Sequence, residues 1–172
     1  MADVFARLAR WRVRLGFVAA ITAFVFARPT WTTWLIGLGL ALAGEAVRVW
    51  AAGHLEKSRE VTRSGPYRWT RHPLYVGSAI IALGVVVAAW HPLVALVAAV
   101  YMGSTLTAAV RTEEAFLRGA FGSTYDEYRA STAAPMPRRF SAERAMRNRE
   151  YRAAAGVVGG FALLALRLLA SI

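Results

Sequence analysis

The chain contains no cysteine. That excludes a disulfide framework, a thiolate nucleophile and a cysteine-based zinc site. It is also poor in acid: 10 Asp and Glu stand against 21 Lys and Arg, for a formal net charge of +11. Charged residues of either sign make up only 18% of its 172 positions, while 57% are hydrophobic. So apolar a composition excludes an ordinary soluble domain. Nucleotide motifs are missing too. No G-x-G-x-x-G or phosphate loop follows a strand, which excludes a Rossmann or triphosphate site. No G-x-S-x-G marks a hydrolase nucleophile. His54, His72 and His91 lack metal-ligand spacing, so no metal is expected. No segment reads as a strand, and no internal repeat or low-complexity tract is visible.

What the chain does have is apolar runs. Five are visible, at about 11–27, 31–53, 73–89, 93–110 and 153–169. A run of about 17–20 residues makes roughly 26–30 Å of helix, enough to cross the hydrocarbon core. Backbone groups in lipid must be satisfied internally, so the runs are helices. The expected fold is all-α: a polytopic membrane bundle of about five transmembrane helices, with a short cytoplasmic helix after the fourth. Residues 1–172 are expected to form a single membrane domain. The first run opens like a secretory signal, but Arg28-Pro29 directly after Ala27 is a poor cleavage context, so it reads as a retained helix. Arg28-Pro29-Thr30 and Trp90-His91-Pro92 read as tight turns, with Pro92 suited to the first turn of a helix. The six Trp lie near run ends, as an aromatic belt would. Small residues on the third and fourth runs (Gly77, Ser78, Gly84, then Gly103, Ser104, Thr105, Thr107) predict a close-packed hairpin of those two helices. Ser141 to Arg152 reads as a basic helix leading into the fifth run, with Ser141 as N-cap.

The basic surplus falls between the runs, where it sets topology rather than marking a nucleic-acid partner. Four Arg (Arg7, Arg10, Arg12, Arg14) open the chain, five basic residues lie in segment 54–72, and nine lie in segment 111–152. Arg28 lies in a loop on the other side, and Arg48 and Arg167 lie within runs. The asymmetry predicts an integral protein of the cytoplasmic membrane, with the N-terminus and both long segments in the cytoplasm. Membrane lipids are then the expected surroundings, and the extra Arg would rest on anionic headgroups.

Four groups of residues could carry chemistry. Glu45 and Arg48 are three apart in the second run and share a helix face; they form either a structural ion pair or part of a site. Gly65-Pro66-Tyr67-Arg68-Trp69-Thr70-Arg71-His72-Pro73-Leu74-Tyr75 stands at the mouth of the third run. Pro73 biases His72 away from helical geometry and starts the helix, leaving the His72 ring at the helix mouth. A polar interfacial anchor would look the same. Arg111-Thr112-Glu113-Glu114 follows the fourth run. Adjacent helical residues point about 100° apart, so the two carboxylates cannot share one task; one can bind a cationic ligand group while the other pairs locally. Tyr125 and Tyr128 share a face of a short helix near the membrane, where packing accounts for at least one of them.

These residues resemble a known pattern. Gly-Pro-Tyr-Arg-x-x-Arg-His-Pro-x-Tyr, an apolar hairpin, then Glu-Glu-x-x-Leu-x-x-x-Phe-Gly-x-x-Tyr-x-x-Tyr is similar to the isoprenylcysteine carboxyl methyltransferase family, grouped with the membrane phospholipid methyltransferases. The resemblance covers about residues 55–140. It implies an integral membrane methyltransferase that uses S-adenosylmethionine without a Rossmann domain. By motif match, Tyr67, Arg71, His72, Pro73 and Tyr75 would line the cofactor pocket, with Glu113 and Glu114 closing it. Glu114 and Arg111 would serve catalysis, Arg111 by facing a substrate carboxylate. The implied substrate is lipophilic and enters sideways between helices. Carboxyl O-methylation of an isoprenylcysteine-like or other lipophilic acceptor is the first expectation, with lipid-amine N-methylation or small-thiol S-methylation as alternatives. The fifth run lies after the second motif, whereas the resemblance leads us to expect spans mainly before it.

Two other classes stay in view. Sterol reductases carry a similar Arg-His-Pro-x-Tyr and bind NADPH, but a polyanionic cofactor suits basic residues better than Glu113-Glu114. A non-enzymatic membrane subunit would bind no cofactor and would tolerate loss of His72.

Overall fold

The computed structural model describes residues 2–131 and 133–170, with side chains from Arg14 onward. Among these residues there are seven α-helices and no strand: α1 (Ala2–Phe26), α2 (Trp31–Ala52), α3 (Pro73–Ala89), α4 (Pro92–Phe121), α5 (Ser123–Arg129), α6 (Ala142–Arg147) and α7 (Tyr151–Ala170). A 3-10 turn covers Gly65–Arg68. Three helices, α2, α4 and α7, are long and apolar enough to cross a membrane. Two shorter apolar stretches lie on α1 (Arg14–Phe26) and α3. The chain is thus an all-α integral membrane protein.

Local chemistry explains the breaks. Thr30 caps α2: its hydroxyl accepts from the Thr33 N–H at 3.2 Å, and the Thr33 hydroxyl accepts from the Thr30 N–H at 2.9 Å. The Arg28 N–H donates to the Ala89 carbonyl at 2.7 Å, tying the α1–α2 turn to the end of α3. Trp90 closes α3 in the left-handed region, with φ +45°, and Pro92 opens α4 at a position that needs no N–H donor.

The tightest helix pair is α2 with α3, not the expected α3 with α4. Gly37 and Gly44 on α2 face Gly84 and Gly77 on α3, so that backbone meets backbone: a Cβ at Gly44 would lie 2.7 Å from the Gly77 carbonyl oxygen. Close approach of this kind is what small residues give a membrane interface. The small residues of α4 are used otherwise. A Cβ at Gly103 would meet nothing within 4 Å. Ser104 and Thr105 return their hydroxyls to the Val100 and Tyr101 carbonyls of their own helix. Instead α4 packs chiefly on α1, where Gly16 lies against the Tyr101 hydroxyl. On the other side α7 joins α2. The Trp34 indole N–H donates to the Phe161 carbonyl at 3.0 Å, and the Arg167 Nε donates to the Ala27 carbonyl at 2.8 Å.

One expectation is extended and another corrected. The helix that begins at Pro92 continues past the apolar run to Phe121, so Glu113 and Glu114, read as helical residues, stand on a rigid extension of α4. The basic segment is two helices rather than one. Ser141 does cap α6, accepting from the Arg144 N–H at 3.2 Å, but the chain turns at Arg149 (φ +61°) before α7. The turn lets the Asn148 side-chain amide donate to the Ala52 and Leu55 carbonyls, 2.9 Å each, at the end of α2. The Ala52 carbonyl is one of the last four of α2, which lack partners within the helix, so capping it offsets the broken helix.

Candidate functional site

A cavity of about 560 Å³ opens where the motif segments meet. Its walls come from Arg48 of α2 and the loop after that helix, the stretch from Tyr67 to Tyr75, the C-terminal half of α4, Tyr128 of α5, and the α6–α7 junction. Of the residues expected at a site, Tyr67, Arg71, Tyr75 and Glu113 line it. His72, Pro73 and Glu114 stand next to the lining rather than in it, and Arg111 is exposed on α4 outside it.

The residues behind the wall hold those in front. Pro73 is buried at the first turn of α3, and His72 at its N-cap makes no side-chain bond to that helix. The His72 ring instead stacks on Tyr75, with centroids 5.7 Å apart and planes 23° apart. Its Nε2 lies 3.3 Å from a Glu114 carboxylate oxygen, which also lies 3.4 Å from an Arg71 nitrogen. Its buried Nδ1 lies 3.8 Å from Glu113, outside hydrogen-bond reach. The two adjacent carboxylates, which point apart, thus bracket one imidazole. Burial pushes the His72 pKa down, but the two carboxylates outweigh burial and hold it above the ordinary histidine value.

Tyrosines supply the aromatic wall. Tyr67 is buried, and burial first, then the charge of Glu113, raises its pKa far above the tyrosine range, so it stays a neutral hydroxyl. The Tyr128 hydroxyl donates to the Tyr67 carbonyl at 2.7 Å, and burial pushes its own pKa up to about 12. Tyr125 is fully buried and serves packing.

The cavity also contains residues that the sequence does not single out. Glu150 lies only 6% exposed at the foot of α7 and accepts from the Arg48 Nε at 2.6 Å. Arg48 further donates to the Leu74 carbonyl at 3.3 Å and to the Ser78 hydroxyl. Glu45, its expected partner, lies farther off at 3.8 Å, and both Glu45 oxygens are buried without a hydrogen-bond partner. Glu150 carries one usable signal: it is the lone acid between Arg149 and Arg152 where an apolar run begins. The loop wall is clamped from outside. Arg138 pairs with Glu60, and Arg144 donates to Glu56 at 2.8 Å and to the Gly53 carbonyl at 2.6 Å. The Arg144 bond, helped by the charges of Arg147 and Arg138 and opposed by burial, holds the Glu56 carboxyl below the usual range. Among the described residues no group of three or more His, Asp or Glu side chains could hold a metal ion.

Comparison with known proteins gives the chain a family. The pattern of the phospholipid methyltransferase family matches residues 32–124, which carry nearly all of α2, the first motif, α3, α4 and the second motif as far as Thr124. The cobalt-zinc-cadmium resistance protein CzcN of Cupriavidus metallidurans is 34% identical over 77% of this chain and 64% of its own length. A probable protein-S-isoprenylcysteine O-methyltransferase of Oryza sativa subsp. indica is 30% identical over 62% of each chain. Protein-S-isoprenylcysteine O-methyltransferase A of Arabidopsis thaliana is 30% identical over 72% of this chain and 68% of its own. The chain therefore spans a little under two thirds of the length of the first two of these relatives. No solved structure matches it. The chain belongs to the phospholipid methyltransferase family.

Proposed function

We propose that the chain is an S-adenosylmethionine-dependent methyltransferase of the cytoplasmic membrane that acts on a lipophilic acceptor from the cytoplasmic side. The observation that carries this reading is the cavity of about 560 Å³, in which Tyr67, Tyr75, Tyr128, Arg71 and Glu113 converge. Its size falls in the range of small-molecule pockets, about 300–1,000 Å³. Its donor set suits the cofactor by charge and shape. Glu113 offers a carboxylate to an ammonium group, Arg71 a guanidinium to a carboxylate, and the tyrosine rings offer faces to adenine or a sulfonium. When bound, S-adenosylmethionine supplies an electrophilic methyl group.

The protein's own part is to position and to exclude water. Methyl transfer is an in-line displacement, so holding donor and acceptor in line supplies most of the effect. His72 and Glu114 act as positioning residues. They brace Tyr75, Arg71 and Glu113 from behind the wall. Arg111 is read as a rim residue. Carboxyl O-methylation of an isoprenylcysteine-like acid remains the preferred chemistry, since a carboxylate is already nucleophilic at neutral pH and needs only aim. An amine would first have to lose a proton, for which Glu113 and Glu150 are the available bases.

The test is titration calorimetry of the purified protein in detergent, with S-adenosylhomocysteine and separately with NADPH. Micromolar binding of the first alone, lost in Glu113→Gln and weakened in Glu114→Gln, is the expected result. Binding of NADPH alone would replace this reading with a reductase, and binding of neither would replace it with a non-enzymatic membrane subunit.

A further inference from the structure

The cavity just described has a neighbour. A second cavity, of about 350 Å³, lies between α3, α4 and α7. Its lining is almost wholly apolar, with Ile81 and Val85 from α3, Met102 from α4, and Gly156, Gly160 and Phe161 from α7. It opens among membrane helices, whereas the first cavity opens among charged loops. The two share a single lining residue, Arg48.

Arg48 is held as a fixed divider. Glu150 takes its Nε, while Ser78 and the Leu74 carbonyl take Nη1. Among the described residues its Nη2 has no hydrogen-bond partner, which leaves donors for an oxygen of a ligand head group. An amphiphile reaching the first cavity from the bilayer would meet apolar wall, then this guanidinium, then the polar cavity. The room for its tail is made by two glycines. A Cβ at Gly156 or at Gly160 would meet nothing within 4 Å. Both belong to α7, which lies beyond the residues that the family pattern matches.

We infer that this groove seats the hydrocarbon tail of the methyl acceptor, that Arg48 stops its head at the boundary between the cavities, and that Gly156 and Gly160 of α7 set which tail is accepted. The inference rests on the methyltransferase reading above and deepens it by giving the fifth apolar helix a specificity role. The occupant is one long apolar chain with an oxygen-bearing head. A bulk lipid lying against the surface, or a second copy of the protein, would not need Arg48 between two cavities.

The glycines suit a test, because a Cβ added at either meets nothing within 4 Å and the side chain beyond it grows from a residue that lines the groove. Nanodiscs would hold the wild type, Gly160→Leu and Gly156→Leu. Each would be exposed to two diazirine-tailed probes, a farnesylated N-acetylcysteine and a phosphatidylethanolamine, with labelling sites mapped by mass spectrometry. S-adenosylhomocysteine affinity would be measured on the same samples. The expected result is labelling at Met102 and Phe161 by at least one probe, reduced at least tenfold in the leucine variants. Labelling at Leu166, which faces outward on α7, should be unchanged, and so should cofactor-analogue affinity. Labelling of Met102 and Phe161 that is absent, or that survives in both leucine variants, overturns the inference and leaves the methyltransferase reading standing. Equal labelling of Leu166 and Phe161 by both probes would make the groove a plain lipid-facing surface and also overturns it. Failure of the wild type to bind S-adenosylhomocysteine overturns the methyltransferase reading, and the assignment of the tail as an acceptor's falls with it.

Discussion

His72 is the residue on which most of the site leans. It stacks on Tyr75, faces Glu114 at 3.3 Å and Glu113 at 3.8 Å, and lies mostly out of solvent. Its pKa is raised above the ordinary histidine value in the folded protein. The folded state therefore holds this proton more tightly than the unfolded state. The resulting stability is fully present below the ordinary histidine pKa and is lost as pH rises through the raised value. His72→Phe keeps a ring to stack on Tyr75 but cannot be charged. Thermal unfolding in detergent from pH 5.5 to 9 should show the wild type ahead of this variant at the acid end, with the gap closing towards the alkaline end. A gap that does not change with pH would assign His72 to packing alone. At this scale the sequence is informative where a polar residue stands at the mouth of an apolar run. Tyr67, Arg71, Tyr75 and Glu113 are legible for that reason, and all four face the cavity. Glu150 is legible only as a lone acid at the start of an apolar run; its partner Arg48 is 102 residues away, so nothing local tells it from one more solvated charge on a basic segment.

At the scale of elements, the boundaries are the legible part. Thr30, Pro73, Pro92 and Ser141 are each read from local chemistry and each stands at a helix start. Helix pairing is less legible. Gly77 and Gly84 mark α3 as a close-packing helix, but nothing local tells whether their partner is α2 or α4, since both carry small residues. The deciding feature is register: Gly37 and Gly44 are seven apart, as are Gly77 and Gly84, so both pairs fall on facing stripes. The seam gives a paired prediction. Gly44→Ala drives a methyl into the α3 backbone and should cost about 1–3 kcal/mol. Gly39→Ala, where a Cβ would meet nothing within 4 Å, should gain about 0.5–1 kcal/mol from helix propensity. Melting of the two variants in the same detergent should move in opposite directions. Equal losses would mean that the glycines are needed for flexibility rather than for contact.

At the scale of the whole molecule, composition alone identifies an integral membrane protein, and the distribution of Arg and Lys supplies an orientation to test. The absence of cysteine makes the test direct, since any introduced thiol is the only one present. Thr124→Cys and Ala142→Cys lie at exposed positions beside the site, and Thr32→Cys lies exposed at the opposite end of the bundle. An impermeant maleimide should label Thr32→Cys in intact cells and the other two only in inverted vesicles. The reverse pattern would put the cavity on the outer face.

The same view brings out how α3 and α4 are joined. At one end they share the short turn through Trp90 and His91; at the other, Arg71 and His72 meet Glu113 and Glu114. The two helices therefore form a closed link, like a buckle fastened at both ends. Such a link does not open like scissors without first parting the acids from the imidazole and the guanidinium. Any parting of α3 from α4 that keeps both fastenings shut would have to come at mid-span, near Ala82 and Met102, where the second cavity lies. A molecule coming from the bilayer would then pass through the side of the protein while both fastenings stay shut, and the polar cavity need never open to lipid at its own end.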